Sequence, residues 1–267
     1  MAANKIFTDQ LSREIAVSFP PKRIISIVPS QSELLFYLGL DDEVAGITKF
    51  CIHPRDKFRA KQKVGGTKKI DFQKIKSLHP DLVIANKEEN DELQVKMLMN
   101  YFPVWVSDVK TIRDAFEMIE MIGALVNKEE AAAKLVTLVN AKFNEIVKTT
   151  EQYTAAYLIW RKPFMAAGRN TFINSMMETA GFQNVFTTQQ RYPEITLDSL
   201  KATNPEYILL SSEPYPFSSK HVTELQKEIP GAKILLVDGE MFSWYGSRLL
   251  KAADYLQQMR YIKLPHT

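Results

Sequence analysis

The side chains in this chain with chemistry to offer are one thiol, a few imidazoles, two matched glutamates and a set of large aromatic rings. Cys51 and His53 share a loop, and their spacing puts both on the same side if that loop is extended. A soft thiolate with an imidazole suits a metal centre such as cobalt or iron in a macrocycle. The alternative is a buried thiol and a turn histidine before Pro54. His79 precedes Pro80 as a turn residue, His221 reads as a helix start, and His266 belongs to a tail, so the four histidines form no paired ligand motif. The sequence also has no nucleophile elbow, P-loop or GxGxxG run. These residue types point to holding a ligand, with bond-breaking as the lesser expectation.

The elements that must position these residues alternate strand and helix. Ile24–Val28 is a buried strand followed by Ser30-Gln-Ser-Glu33, which fits a capping box opening a helix over 32–38 that ends at Gly39. Val44–Ile47 is a second strand, and residues 50–69 are a long irregular stretch. A helix near 91–101, a strand at 104–106 and a helix near 111–125 follow, then a break at Val126-Asn127. Residues 128–150 are free of proline and keep apolar residues at helical spacing, which predicts a long stiff helix. Alternation then resumes: strand 157–160, helix 171–180 ended by Gly181, strand 185–186, helix 221–229, strand 234–237 and helix 247–260. Such alternation implies parallel sheets with helices on both faces.

One segment occurs twice. Ile70–Glu88 matches Ile195–Glu213 at Ile70 and Ile195, Phe72 and Leu197, Ile75 and Leu200, Pro80 and Pro205, Asp81 and Glu206, and Glu88 and Glu213. Two distant copies of helix, proline turn, strand and acid predict two similar α/β lobes enclosing a cleft rather than a solenoid. The expected division is 1–126 for one lobe, 127–150 for a connecting helix and 151–267 for the other.

Length and composition fit this. The chain has 267 residues with 45% hydrophobic and 24% charged residues, the profile of a folded globular protein. Its 34 basic and 31 acidic residues leave a net charge of +3 with no basic cluster, which gives no electrostatic case for nucleic acid. A single cysteine excludes an internal disulfide. No apolar run reaches the roughly 18–20 residues of a membrane span, and residues 1–20 carry no apolar signal core.

The order of motifs resembles the substrate-binding proteins of ABC importers for vitamin B12, ferric siderophores and haem. The resemblance rests on Leu11-Ser-Arg-Glu14, Pro21–Ser30 with Glu33 and Gly39, Gly65-Gly66, and Pro80–Ile84. Gly168, Gly181–Phe186 and Asp238–Phe242 continue it, and it spans nearly the whole chain. It implies two Rossmann-like lobes joined by one rigid helix, a build shared with chelatases. It also implies a metal chelate as cargo with no resident cofactor, an ABC permease as partner, a monomer, and an envelope location; a cytoplasmic location stays open. Within the family the vitamin B12-binding branch is most similar. By that likeness Phe50 and Tyr192 fall at cleft aromatics and Glu240 at an acid able to contact a corrinoid. Thr67 and Asn86 replace that branch's tryptophans. The family docks on its permease through one carboxylate per lobe, and these positions are Gln73 and Asp198; the first is neutral, which puts symmetric docking in question. The alternatives are a chelatase-like enzyme acting on a tetrapyrrole and a non-exported corrinoid carrier.

Ligands of parallel α/β sheets bind beyond the carboxyl ends of the strands. The candidate contacts are therefore Phe50, Cys51, His53, Asn86, Glu88, Trp160, Met165, Tyr192, Glu213, Tyr215, Glu240, Phe242, Trp244 and Tyr245. Glu88 and Glu213 would face each other across the cleft mouth. Trp160 and Phe242 are also readable as lobe core, whereas Trp244 and Tyr245 read as a loop.

Overall fold

Ile24-Ile-Ser-Ile-Val28 is β-branched at four of five positions, the composition of a strand buried on both faces. In a computed structural model, which describes residues 3–146 and 152–263, all five are buried. The chain divides into two compact units: residues 1–109, 113–139 and 245–248 form unit 1, and 110–112, 140–244 and 249–267 form unit 2.

Unit 1 opens with an antiparallel hairpin, β1 (Ala3–Thr8) and β2 (Glu14–Phe19), which the sequence reading left unassigned. Its turn is built on the buried Asp9, whose carboxylate accepts from the amides of Leu11 and Arg13 and from the Arg13 guanidinium. Then come β3 (Ile24–Ser26), α1 (Pro29–Tyr37), β4 (Val44–Ile47), α2 (Arg55–Ala60), β5 (Gln62–Lys63), α3 (Phe72–Ser77), β6 (Leu82–Asn86), α4 (Glu92–Met99) and β7 (Val104–Ser107). These strands form a parallel sheet in the order β5-β4-β3-β6-β7. The connection through α1 leaves β3 on one side and the one through α3 returns on the other, which makes a topological switch point between β3 and β6.

From Arg113 onward α5 (Ile112–Leu125) covers unit 1 with Ala115, Met118, Ile119 and Ile122 buried. Asn127 takes a left-handed conformation at the break, and α6 (Glu129–Glu145) follows. A Cβ on Gly123 would lie 2.4 Å from the Ala132 Cβ, so these two helices meet through bare backbone. Of the long helix expected over 128–150, residues 147–150 lie outside the described residues. The division between the units runs through α6, after Val139.

Unit 2 repeats the plan of unit 1 with β8 (Tyr153–Trp160), β9 (Phe164–Ala166), α7 (Phe172–Thr179), β10 (Phe182–Asn184), β11 (Glu194–Ile195), α8 (Leu197–Ala202), β12 (Tyr207–Ser211), α9 (Ser219–Glu228) and β13 (Lys233–Val237). α10 (Glu240–Ser243) and α11 (Leu249–Lys263) complete it. The parallel run β10-β8-β12-β13 reproduces β4-β3-β6-β7, and β9 and β11 add an antiparallel edge.

The sequence repeat is a repeat of local physics. Asp71 and Thr196 cap α3 and α8 by accepting from Lys74 N and Ser199 N. His79 and Asn204 both take φ near +45°, the left-handed turn that ends each helix before proline. Asp81 then accepts from the amides of Lys22 and Arg23, and Glu206 from the amide and hydroxyl of Thr154. Each acid thus pins the start of the strand beside its own, β3 in unit 1 and β8 in unit 2. The capping box expected at Ser30–Glu33 is not formed. With Pro29 in the first turn, α1 starts earlier and Ser32 turns back to Val28 O. Glu33 instead pairs with Arg248.

Candidate functional site

In each unit the strands end in loops that carry the candidate side chains. In unit 1 the loop after β4 projects Phe50, 49% exposed, and, two residues on, Ile52, also exposed. The Lys49 ammonium stands 5.0 Å over the Phe50 ring, and a Cβ on Gly66 would come within 3.2 Å of that ring. One ring edge is thus packed on bare backbone while much of its surface stays in water. Such a ring is a ready contact for a flat or bulky ligand.

Cys51 follows the second of its two readings, the buried thiol. It is fully buried, and its sulfur lies 3.1 Å from both the Ser32 and Thr48 hydroxyls. Burial pushes the thiol up to about 11, although the two hydroxyls pull the other way. With its sulfur buried between two hydroxyls, Cys51 takes the place of a core thiol rather than of a ligand-facing one; His53 is half-buried. Among the described residues no group of three or more His, Cys, Asp or Glu side chains could hold a metal ion.

Asn86 is also a framework residue rather than a contact. It is buried at the end of β6, accepts from the amides of Glu88 and Glu89, and donates to Ser107. Its counterpart Ser211 ends β12 and interacts with the Glu213 amide at 3.4 Å, so both copies use a polar side chain to turn the loop. Glu88 is half-buried in its loop. The neighbouring Glu89 accepts from the Tyr245 hydroxyl at 2.8 Å, and Glu33 takes a two-pronged ion pair from Arg248 at 2.8 and 2.9 Å. Tyr245 is thereby buried as a tie within unit 1, not presented as a loop aromatic.

In unit 2 Trp160 ends β8, 39% exposed, its ring edge-on to Tyr215 at 5.6 Å. Met165, half-buried, pairs with Trp160 across β8 and β9. Tyr215 continues into Phe217 at 4.7 Å and His221 at 5.5 Å. His221 is the third residue of α9, where its Nδ1 accepts from Ser218 N and its Nε2 meets the Tyr215 hydroxyl at 3.3 Å. Burial, then Arg161, disfavours its protonation. The imidazole braces the 215–221 segment through Tyr215, which meets the exposed indole. Tyr192 is half-buried in the loop that leads to β11.

A second cluster in unit 2 surrounds Glu213. Its carboxylate accepts from the Ser243 hydroxyl at 2.9 Å and the Trp244 indole at 2.8 Å. Burial raises its pKa, and Glu240 and Asp238 raise it further against those two hydrogen bonds. Trp244 is therefore a buried donor to Glu213 and not an exposed loop aromatic. Phe242 is fully buried, with Tyr157 at 5.1 Å and Tyr255 at 6.3 Å. It is core, because α10 turns it inward. Glu240, half-buried, opens that helix with its amide on Asp238. Gln73 and Asp198 occupy the second position of α3 and α8, and both are exposed.

Three features escaped sequence reasoning: Lys49 over Phe50, the Tyr245–Glu89 bond and the Arg248–Glu33 pair. Only Lys49 had a local signal, as the residue before an aromatic at a strand end.

Each of the two doubly wound units carries an exposed ring at or just past the carboxyl end of a strand, where ligands of such sheets bind. The sequence profile of the periplasmic binding protein family matches residues 24–232, and the chain belongs to that family. It is 24% identical over 267 residues to an uncharacterised ABC transporter substrate-binding lipoprotein, YvrC, of Bacillus subtilis, covering 95% of this chain and 84% of that protein. It is 22% identical over 244 residues to a vitamin B12-binding protein of Pectobacterium carotovorum, with 88% and 87% covered. Among solved structures, the periplasmic haem-binding protein RhuT of Roseiflexus sp. RS-1 aligns with a TM-score of 0.77 at 19% identity, covering 90% of this chain and 98% of that one.

Proposed function

We propose that the protein captures a metal chelate, a corrinoid or another macrocyclic or siderophore complex, and delivers it to an ABC importer. The observation that carries this is the pair of half-exposed rings, Phe50 just past β4 in unit 1 and Trp160 at the end of β8 in unit 2. Each is braced from behind, Phe50 by Gly66 and Trp160 by Tyr215. Rigid aromatic surface lowers the entropy lost on binding and favours the face of a large planar ligand. His53, Met165, Tyr192, Tyr215, Glu88 and Glu240 are the remaining contacts in this reading, and Asp198 is the permease-facing acid. Relatives named for vitamin B12 and haem support the chemical class.

Cyanocobalamin, haemin and a ferric hydroxamate, each titrated against intrinsic tryptophan fluorescence and melting temperature, test this. At least one is expected to quench Trp160 and raise the melting temperature, with Phe50→Ala and Trp160→Ala each weakening binding about tenfold or more. No response to any of the three would sink the proposal.

A further inference from the structure

The two copies of the repeated segment differ most in charge. Residues 68–76 hold Lys68, Lys69, Lys74 and Lys76 against Asp71 alone, whereas residues 194–201 hold Glu194 and Asp198 against Lys201. The lysine-rich stretch is therefore a property of unit 1 and not of the repeated plan. It adjoins exposed apolar surface. Gln94 of α4 donates to Lys68 O and accepts from Ile70 N, which seats the start of α4 against this stretch. The next residue back, Leu93, is 77% exposed. Phe72 opens α3 with its ring 5.1 Å from Tyr101, itself 57% exposed, and the Lys76 ammonium lies 5.6 Å over that tyrosine.

Acids nearby are engaged: Asp71 and Asp91 cap their helices, and Glu92 pairs with Lys96 at 2.6 Å. Even with those acids counted the patch is net positive. Its cations are all lysines: Lys68 is held at the Glu88 and Asn90 carbonyls and Lys96 by Glu92, which leaves Lys69, Lys74 and Lys76 as point charges that suit a fluid array of anions better than the fixed fork of arginine does. Lysines next to an exposed leucine and an exposed tyrosine suit a surface that rests on a membrane interface.

We propose that this face of unit 1 (Lys68, Lys69, Lys76, Leu93 and Tyr101, around Gln73) binds anionic lipid surface. Lysines would sit at the headgroups, with Leu93 and Tyr101 entering the interface. The proposal is independent of the chelate reading, since none of these residues is among the ligand contacts.

Vesicle co-sedimentation of the full chain tests it, with vesicles of equal parts phosphatidylcholine and phosphatidylglycerol against vesicles of phosphatidylcholine alone. The protein should sediment with the anionic vesicles only and be released at high salt. Each lysine removed should lower partitioning about fivefold, so Lys69→Glu combined with Lys76→Glu should abolish it. Leu93→Ser should weaken binding without changing its salt dependence. Asp198→Ala on unit 2 should leave it unchanged. Melting temperatures equal to the parent's would show that the exposed substitutions leave the fold intact. Absence of sedimentation with anionic vesicles, or binding that the lysine variants leave intact, would overturn the proposal; the first outcome would point to an acidic protein surface instead.

Discussion

The side chains most suggestive of chemistry in the sequence turn out to hold structure, and those that face solvent are plainer. Cys51 is the clearest case. A thiol buried with its proton on should resist iodoacetamide at pH 8 in the native protein and react only on unfolding. Rapid native labelling, read by mass spectrometry, would contradict its placement. Glu213 gives a pH signature. Because burial raises its folded pKa, the native state holds a proton that the unfolded state releases. The stability from that proton is present in full below the ordinary carboxylate range and is lost as pH rises through the raised value. Glu213→Gln keeps an acceptor for Ser243 and Trp244 and should flatten the fall in melting temperature as pH rises above the ordinary carboxylate range. A variant whose slope matched the parent's would remove Glu213 as its source. The buried thiol was one of two readings open in the sequence, but the Glu213 cluster was not legible, since a loop aromatic and a buried donor such as Trp244 have the same local sequence; what separates them is a carboxylate 31 residues away.

Elements were far more legible than side-chain roles. Proline-free helical spacing, glycine stops and β-branched runs are local signals, so α5, α7, β6 and β13 lie close to where the sequence placed them. What failed was whatever depended on distant partners. The start of α1 was misread because Glu33 belongs to Arg248, and β1 with β2 was missed because its turn is held by Asp9 rather than by glycine. The repeat succeeded because each copy carries its own signal. Its prediction is that Asp81→Ala and Glu206→Ala weaken the two units alike, each by about 1–2 kcal/mol in urea unfolding, since each removes two charge-assisted hydrogen bonds to a strand entry. A neutral result at one site would break the equivalence. Gly123→Ala, which forces a methyl against Ala132, should cost about 1–3 kcal/mol by the same measurement.

At the scale of the molecule, the family follows from the two repeated units and the order of motifs, while the cargo does not, because ring surface selects a class of ligand and not one compound. If a chelate binds the native protein alone, ligand at about a hundred times its dissociation constant should add about 2.7 kcal/mol to stability. The docking reading makes a separate prediction. Asp198→Ala should leave affinity unchanged while lowering stimulation of the importer's ATP hydrolysis, and unchanged stimulation would remove Asp198 from the interface. Gln73→Glu should not harm binding, since that position is exposed on α3.

Arg248 reaches Glu33 across 215 residues of sequence, and both belong to unit 1. On the ribosome these partners are born far apart in time. Everything else in unit 1 has been made by Val139, and residues 140–244 must then be translated before Tyr245–Arg248 can return to it. At about 5–20 residues per second that interval is roughly 5–20 s. Throughout it the nascent unit carries a glutamate without its counter-ion and a Glu89 without its tyrosine. The piece that completes the first-made half is thus synthesised only after residues 140–244 of the second, and a chain released before Tyr245 would be impaired in both units rather than in one.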